Sequence, residues 1–227
     1  TGDLVPTETW HAVGHWKEDG TFAKGECPDA LTGAFSSLPR KVTTFYKYKP
    51  EDVINAIFNC GQPDHVQKTM WCFSRKEQPK FSYPNNNVAG IQTDGPMFGG
   101  TTVADYDYHT CFKDSKTWRG FAGFNNLTRG MIIFGRIIAS KYTRKFRKLE
   151  GTYEEQAETL VWNYYRGWNL ALSPAELDTL KATGAITRVK PGREPKTYER
   201  DWNKDKAWFK KQMEYFDSVV SARSSTP

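Results

Sequence analysis

The sequence predicts an α+β fold. A curved antiparallel β-sheet, barrel-like in outline, is expected over residues 9–142, followed by a helical C-terminal segment over 143–227. Three observations predict it. Residues 101–142 read as three strand-like runs, TTVADYDYHTCF, TWRGFAGF and MIIFGRIIASKY, separated by the polar stretches KDSK and NNLTRG. Other runs rich in β-branched and aromatic residues precede them at short intervals. After residue 143 the pattern changes to helix caps and apolar residues at helical spacing.

The first run alternates with period two. In an extended chain Ala104, Tyr106, Tyr108, Thr110 and Phe112 share one face, and Val103, Asp105, Asp107, His109 and Cys111 share the other. Lys113-Asp114-Ser115-Lys116 has the length and polarity of a hairpin loop. Gly120 and Gly123 in the second run point to bulges or close backbone approach, as in a strongly curved sheet. The third run starts apolar on both faces, as a covered strand would. It is shorter than the roughly 20 residues a bilayer demands.

Upstream, residues 1–8 read as a flexible arm. Residues 9–16 (TWHAVGHW) are expected as a first strand, with Asp19-Gly20 marking the turn after it. Residues 29–38 read as a short helix that Pro39 ends, and 42–48 (VTTFYKY) as a strand. Pro50 opens a helix with acids in its first turn and Gly61 past its end, and Val53, Ile54, Ile57 and Phe58 form its apolar stripe. Residues 66–74 (VQKTMWCFS) read as a strand, 76–87 as a long polar loop with three consecutive Asn, and 88–93 as a short strand.

Downstream, Thr152-Tyr153-Glu154-Glu155 is a capping box, so a helix is expected from there to about residue 170. Its aromatic cluster, Trp162, Tyr164, Tyr165 and Trp168, reads as helix core. Ser173-Pro174-Ala175-Glu176 is a second capping box, and Gly184 stops that helix. Residues 188–196 read as a linker. A last helix over about 203–222 carries Phe209, Met213, Phe216 and Val220 at spacings of three and four.

A chain of 227 residues can bury a core without disulfides. Its net charge of +6 favours anionic partners: an acidic protein, an anionic surface, or nucleic acid. Aromatic residues make up 15%, a level that serves a core, an apolar cavity or an interface. The four cysteines, Cys27, Cys60, Cys72 and Cys111, fit two disulfides in an oxidising compartment or four reduced thiols in a reducing one. Cys72 and Cys111 both fall on expected strands, so a bridge between them is the expected pairing. With TGDLVPTE at its start, the chain reads as a mature secreted or luminal protein after leader removal. Asn126-Leu127-Thr128 is a glycosylation sequon. No run is long enough for a transmembrane helix.

Asp105, Asp107 and His109 recur every second residue on one expected strand face. That pattern suits general acid/base chemistry, and it equally suits the solvated face of an antiparallel strand. If that face pointed into a barrel, the buried carboxyls would have raised pKa values. Tyr106, Tyr108 and Trp118 would then wall a cup for a small apolar ligand. His65, Cys72, His109 and Cys111 match no zinc spacing, so no metal is assigned, and no cofactor motif is present. The basic run Lys141, Arg144, Lys145, Arg147 and Lys148, with Tyr142 and Phe146 inside it, suits anion binding or a solvated connection.

Tyr164-Tyr165-Arg166-Gly167-Trp168-Asn169 resembles the YYRG-x-N segment in the lipocalin domain of violaxanthin de-epoxidases. Trp10 followed by Cys27 is similar to that domain's first strand. In that family the segment is a barrel strand, whereas the capping box here predicts a helix. The family's cysteine-rich leader has no counterpart in the sequence, and no catalytic residue is carried over.

The functional expectation is a non-catalytic binding or structural subunit of a larger assembly, contacting an acidic protein or anionic surface. Residues 141–148 and the Phe209, Met213, Phe216 and Val220 face are its expected contact surfaces. The rival is an acid/base isomerase or lyase that holds a small apolar or aromatic ligand in a lipocalin-like cup.

Overall fold

The computed structural model describes residues 4–12, 15–16, 22–23, 37–39, 41, 43–93, 99–114, 117–189, 192 and 194–224. At 9–12, 15–16, 22–23, 111–114, 117–119 and 224 it describes the backbone alone. Helix, not strand, dominates. Among the described residues the strands form small antiparallel groups, none closed into a barrel. The expected curved or barrel-like sheet over 9–142 is therefore wrong. The chain divides into two compact units, residues 1–140 and 141–227.

In the first unit, β1 (Glu8–Ala12), β4 (Thr43–Lys47) and β5 (Ser82–Pro84) make a three-stranded sheet in the order β1-β4-β5. The amide and the hydroxyl of Thr7 both donate to the Lys47 carbonyl, so pairing reaches into the expected arm. Two short strands, β2 (His15–Trp16) and β3 (Phe22–Ala23), pair with each other. β6 (Tyr108–Asp114) and β7 (Thr117–Gly123) form the hairpin expected in the central stretch. Its first arm starts late, because Val103–Asp105 is a 3-10 turn rather than strand. The expected strand at 88–93 reduces to one bridge, Gln92 to Phe121. The helix expected at 29–38 lies largely outside the described residues.

The first helix, α1 (Pro50–Phe58), runs as expected, and Gly61 beyond it takes a φ of 74°. Two expected strands are helices instead. Residues 66–74 belong to α2 (Asp64–Glu77), and the run MIIFGRIIASKY belongs to α3 (Leu127–Arg144). The buried positions of α3 are Leu127, Gly130, Met131, Ile133, Phe134, Gly135, Ile137 and Ile138, a wide stripe at three- and four-residue spacing. Asn126 starts this helix: its Oδ1 accepts from the Arg129 amide at 2.8 Å.

The three consecutive asparagines are the centre of this unit, not a solvated loop. Asn85, Asn86 and Asn87 are at most 1% exposed. Asn85 accepts from the Thr44 amide and donates to Thr110 Oγ1. Asn86 accepts from the Tyr48 hydroxyl at 2.6 Å and donates to the Phe124 carbonyl. Asn87 accepts from the Ile91 amide and donates to the Ile91 and Ala122 carbonyls. The set ties β4, β6 and the segments flanking β5 and β7 into one polar core. Asn85 and Asn86 adopt φ values of 57° and 56°, a region that Asn tolerates better than most residues. α3 passes so close that a Cβ on Gly130 would lie 2.2 Å from the Asn86 carbonyl oxygen.

The second unit is built on α4 (Tyr153–Asn163) and α6 (Trp202–Ser224). Both expected capping boxes form, with Thr152 accepting from the Glu155 amide and Ser173 from the Glu176 amide. α4 continues into a π-helical turn, Tyr164–Trp168, closed by the Asn169 amide on the Tyr164 carbonyl. α5 (Pro174–Thr183) ends at Gly184, whose φ of 74° makes it the left-handed stop. The two ends of the expected linker at 188–196 belong to paired strands, β8 (Ala185–Arg188) with β9 (Lys196–Glu199), and residues 190, 191 and 193 lie outside the described residues. Along α6, Trp202, Asp205, Phe209, Met213 and Phe216 are buried at helical spacing. Phe209 meets Tyr164 edge-on at 5.8 Å.

Candidate anion-binding site

The expected acid/base set is not assembled for catalysis. Asp105 caps the 3-10 turn, accepting from the Thr102 amide at 2.8 Å, and pairs with Arg136 at 2.6 Å. Burial works to raise its carboxyl, but the Thr102 amide and hydroxyl and then the Arg136 and Arg129 cations outweigh burial, so it sits below its ordinary value. A raised, proton-donating carboxyl was the premise of the acid/base reading, and the shift has the opposite sign. Asp107 accepts from the Asn125 amide at 2.9 Å and faces Arg129 at 3.8 Å. His109 is buried, with its backbone amide on the Pro39 carbonyl and its carbonyl on the Lys41 amide.

Two of the three expected ligand walls, Tyr106 and Tyr108, are core. Tyr106 is buried, donates to Thr101 Oγ1 at 2.7 Å and packs on Phe124. Tyr108 is buried over Gly123, where a Cβ would come within 2.1 Å of its ring. A glycine at 123 therefore serves the close approach that the sequence suggested. Trp118 and Cys111 have side chains outside the described residues. Cys72 lies in α2 rather than on a strand and, like Cys60, is a thiol. The bridge expected between Cys72 and Cys111 thus loses the pair of neighbouring strands on which it rested. Among the described residues no three His, Cys, Asp or Glu side chains gather as a metal set. No described helix is long and apolar enough to cross a membrane.

The basic run is brought together. Lys141 and Arg144 occupy the last turn of α3, and Lys145, Arg147 and Lys148 follow it. Phe146 and Leu149 are buried between exposed neighbours. Phe146 packs so tightly on the π-helical turn that a Cβ on Gly167 would meet its ring at 2.4 Å. These two apolar anchors turn Arg144, Lys145, Arg147 and Lys148 outward. Phe146 is therefore an apolar anchor, while Tyr142 is half-buried and meets Phe146 edge-on at 5.4 Å.

Elsewhere in this unit four cations are matched by carboxylates. Lys181 reaches Glu158 at 2.5 Å, Arg188 reaches Glu176 at 2.9 Å, and Lys206 and Lys210 reach Glu154 at 3.0 and 3.4 Å. Among the described residues, Lys141, Arg144, Lys145 and Arg147 have no carboxylate at ion-pair distance, and Lys148 has only Glu150 at 4.0 Å. Partial burial lowers the Lys141 ammonium below its ordinary value, and Lys145 and Arg144 lower it further. A bound anion would relieve that like-charge crowding.

Two features here were missed from sequence. The Arg147 guanidinium lies 4.0 Å over the Trp162 ring, and Asn163 clamps residue 147 by accepting from its amide and donating to its carbonyl, both at 2.8 Å. Their signal was the polar Asn163 inside an apolar helix repeat, which demands a buried partner. The Phe209, Met213, Phe216 and Val220 face is not a contact surface, because its first three members are core. Comparison with protein-family models, curated proteins and solved structures finds no match.

Proposed function

We propose that this chain is a non-catalytic binding subunit that docks an acidic segment of a partner protein on Lys141, Arg144, Lys145, Arg147 and Lys148. One observation carries the reading: Lys141, Arg144, Lys145 and Arg147 crowd into one short stretch with no carboxylate at ion-pair distance among the described residues. Charge distribution supports it. Residues 141–227 hold 17 Lys and Arg against 12 Asp and Glu, so most of the chain's net charge of +6 resides there. Such a patch steers an anionic partner and weakens with salt. No observation favours the acid/base reading, since its carboxylates are held by arginines and two of its aromatic walls, Tyr106 and Tyr108, are core. The secreted or luminal setting belongs to the same proposal, with the Cys60 and Cys72 thiols offering it no support.

Fluorescence anisotropy with labelled acidic peptides tests the reading. Binding at low salt is expected, falling steeply as salt rises. Replacing Lys141, Arg144 and Lys145 by Ala should weaken it about tenfold, three exposed charge contacts at roughly 0.5 kcal/mol each. Equal binding by wild type and triple variant rejects the site. Stronger capture of anionic vesicles or single-stranded nucleic acid than of acidic peptide rejects the protein partner.

A further inference from the structure

Within the basic run, Arg147 also lines a cavity. The pocket lies in the second unit, with walls from Arg147, Trp162, Leu177 and Trp202 and a volume of about 160 Å³. That is below the roughly 300–1,000 Å³ typical of cofactor and drug-sized ligands, and it suits a single side chain. Glu158 also lines it, but both its oxygens are engaged, one by Lys181 at 2.5 Å and the other by the Trp202 indole N–H at 2.9 Å. Asp178 stands exposed on the rim.

Arg147 is prepared for recognition. Its backbone is held on both sides by the fully buried Asn163, and its guanidinium is stacked on Trp162. Stacking uses the face of the guanidinium and leaves its edge donors to form a fork in the plane. Among the described residues no acceptor takes those donors. A carboxylate meeting the fork would have Trp162, Leu177 and Trp202 as apolar neighbours and Lys181, whose ammonium lies 5.5 Å from the Trp202 ring centre, as a second cation in the same pocket.

We propose that this pocket admits one glutamate side chain of the acidic partner segment, with the carboxylate on the Arg147 fork and the methylenes between the tryptophans. The inference rests on the docking reading above and adds residue specificity to it. Aspartate has the same charge but one methylene fewer to lay against the indoles.

The test compares fluorescein-labelled oligoglutamate and oligoaspartate of equal length on the wild type, on Arg147→Lys and on the Lys141, Arg144 and Lys145 triple variant. The wild type is expected to prefer oligoglutamate by up to about tenfold, the scale of one buried methylene. Arg147→Lys keeps the charge but loses fork and stack, so the preference should vanish while oligoaspartate binds as before. The triple variant should weaken both peptides and keep the preference. Equal binding of both peptides by the wild type overturns the pocket and leaves the docking reading standing. A preference that survives in Arg147→Lys also overturns it. Failure of the wild type to bind either peptide at low salt overturns the docking reading and the pocket together.

Discussion

At the scale of single residues, the buried asparagines decide the first unit. Asn87 satisfies three backbone groups that have no access to water. Removing it leaves the Ile91 amide without its acceptor, while the Ile91 carbonyl keeps the Ala122 amide, and a buried unsatisfied group costs about 1–3 kcal/mol. Asn87→Ala should therefore lower the urea midpoint sharply. Asn125→Ala, at an exposed side chain that accepts only from Lys41, should leave it nearly unchanged. Matching midpoints for the two variants would show that the asparagine cluster does not hold the unit together. Nothing in composition separates Asn87 from Asn125, and a run of three Asn reads as a turn. Their burial depends on chain segments distant in sequence supplying amides and carbonyls, which no local pattern reveals. A second residue is tested by pH. Arg188 and then the Ser173 amide hold the Glu176 carboxyl down to about 2, against an ordinary value of 4.5. A depressed carboxyl stabilises the fold fully above its unfolded value, and that contribution is lost as pH falls from 4.5 towards 2. Glu176→Gln should flatten the acid limb of a stability-versus-pH curve across this window. An unchanged limb would mean that the Arg188 pair adds nothing to folding.

At the scale of elements, local signals were legible and tertiary ones were not. α1, α4 and α5 were readable because Pro50, the two capping boxes and Gly184 act within a few residues of themselves. α2 and α3 were misread because a short apolar run looks alike in a covered strand and a buried helix. The deciding signals lay at their ends. Asp64 opens α2 and Arg75 and Lys76 close it, while Asn126 opens α3 and Lys141 and Arg144 close it. The basic run was legible as charge, but its outward turn depends on Phe146 and Leu149 finding the core. The caps give a direct test. Thr152→Ala leaves the Glu155 amide without its acceptor and should cost about 1 kcal/mol. Thr152→Ser keeps the oxygen and should restore most of it in thermal melts followed by circular dichroism. If serine fails to rescue, the loss comes from the threonine methyl rather than from the cap.

At the scale of the whole molecule, the barrel was expected because strand-like runs followed one another closely. α1 and α2 separate β4 from β5 and α3 follows β7, so the strands fall into small groups rather than one continuous sheet, and each unit closes its own core. The first unit is centred on the asparagines and α3, and the second on the packing of Phe209, Met213 and Phe216 with Tyr164 and its neighbours. Separate cores predict separate responses to damage. Phe209→Ala deletes a fully buried ring and should cost about 3–5 kcal/mol within residues 141–227. Hydrogen exchange read by mass spectrometry should then show faster exchange in α4 and α6, with peptides of β6, β7 and α2 protected as in the wild type. Asn87→Ala should give the converse pattern. The two variants together test the division, because each serves as the other's control for global loss of stability. Uniform acceleration across the whole chain by either variant would show one cooperative core, and the assignment of peptide binding to the second unit alone would then lose its footing.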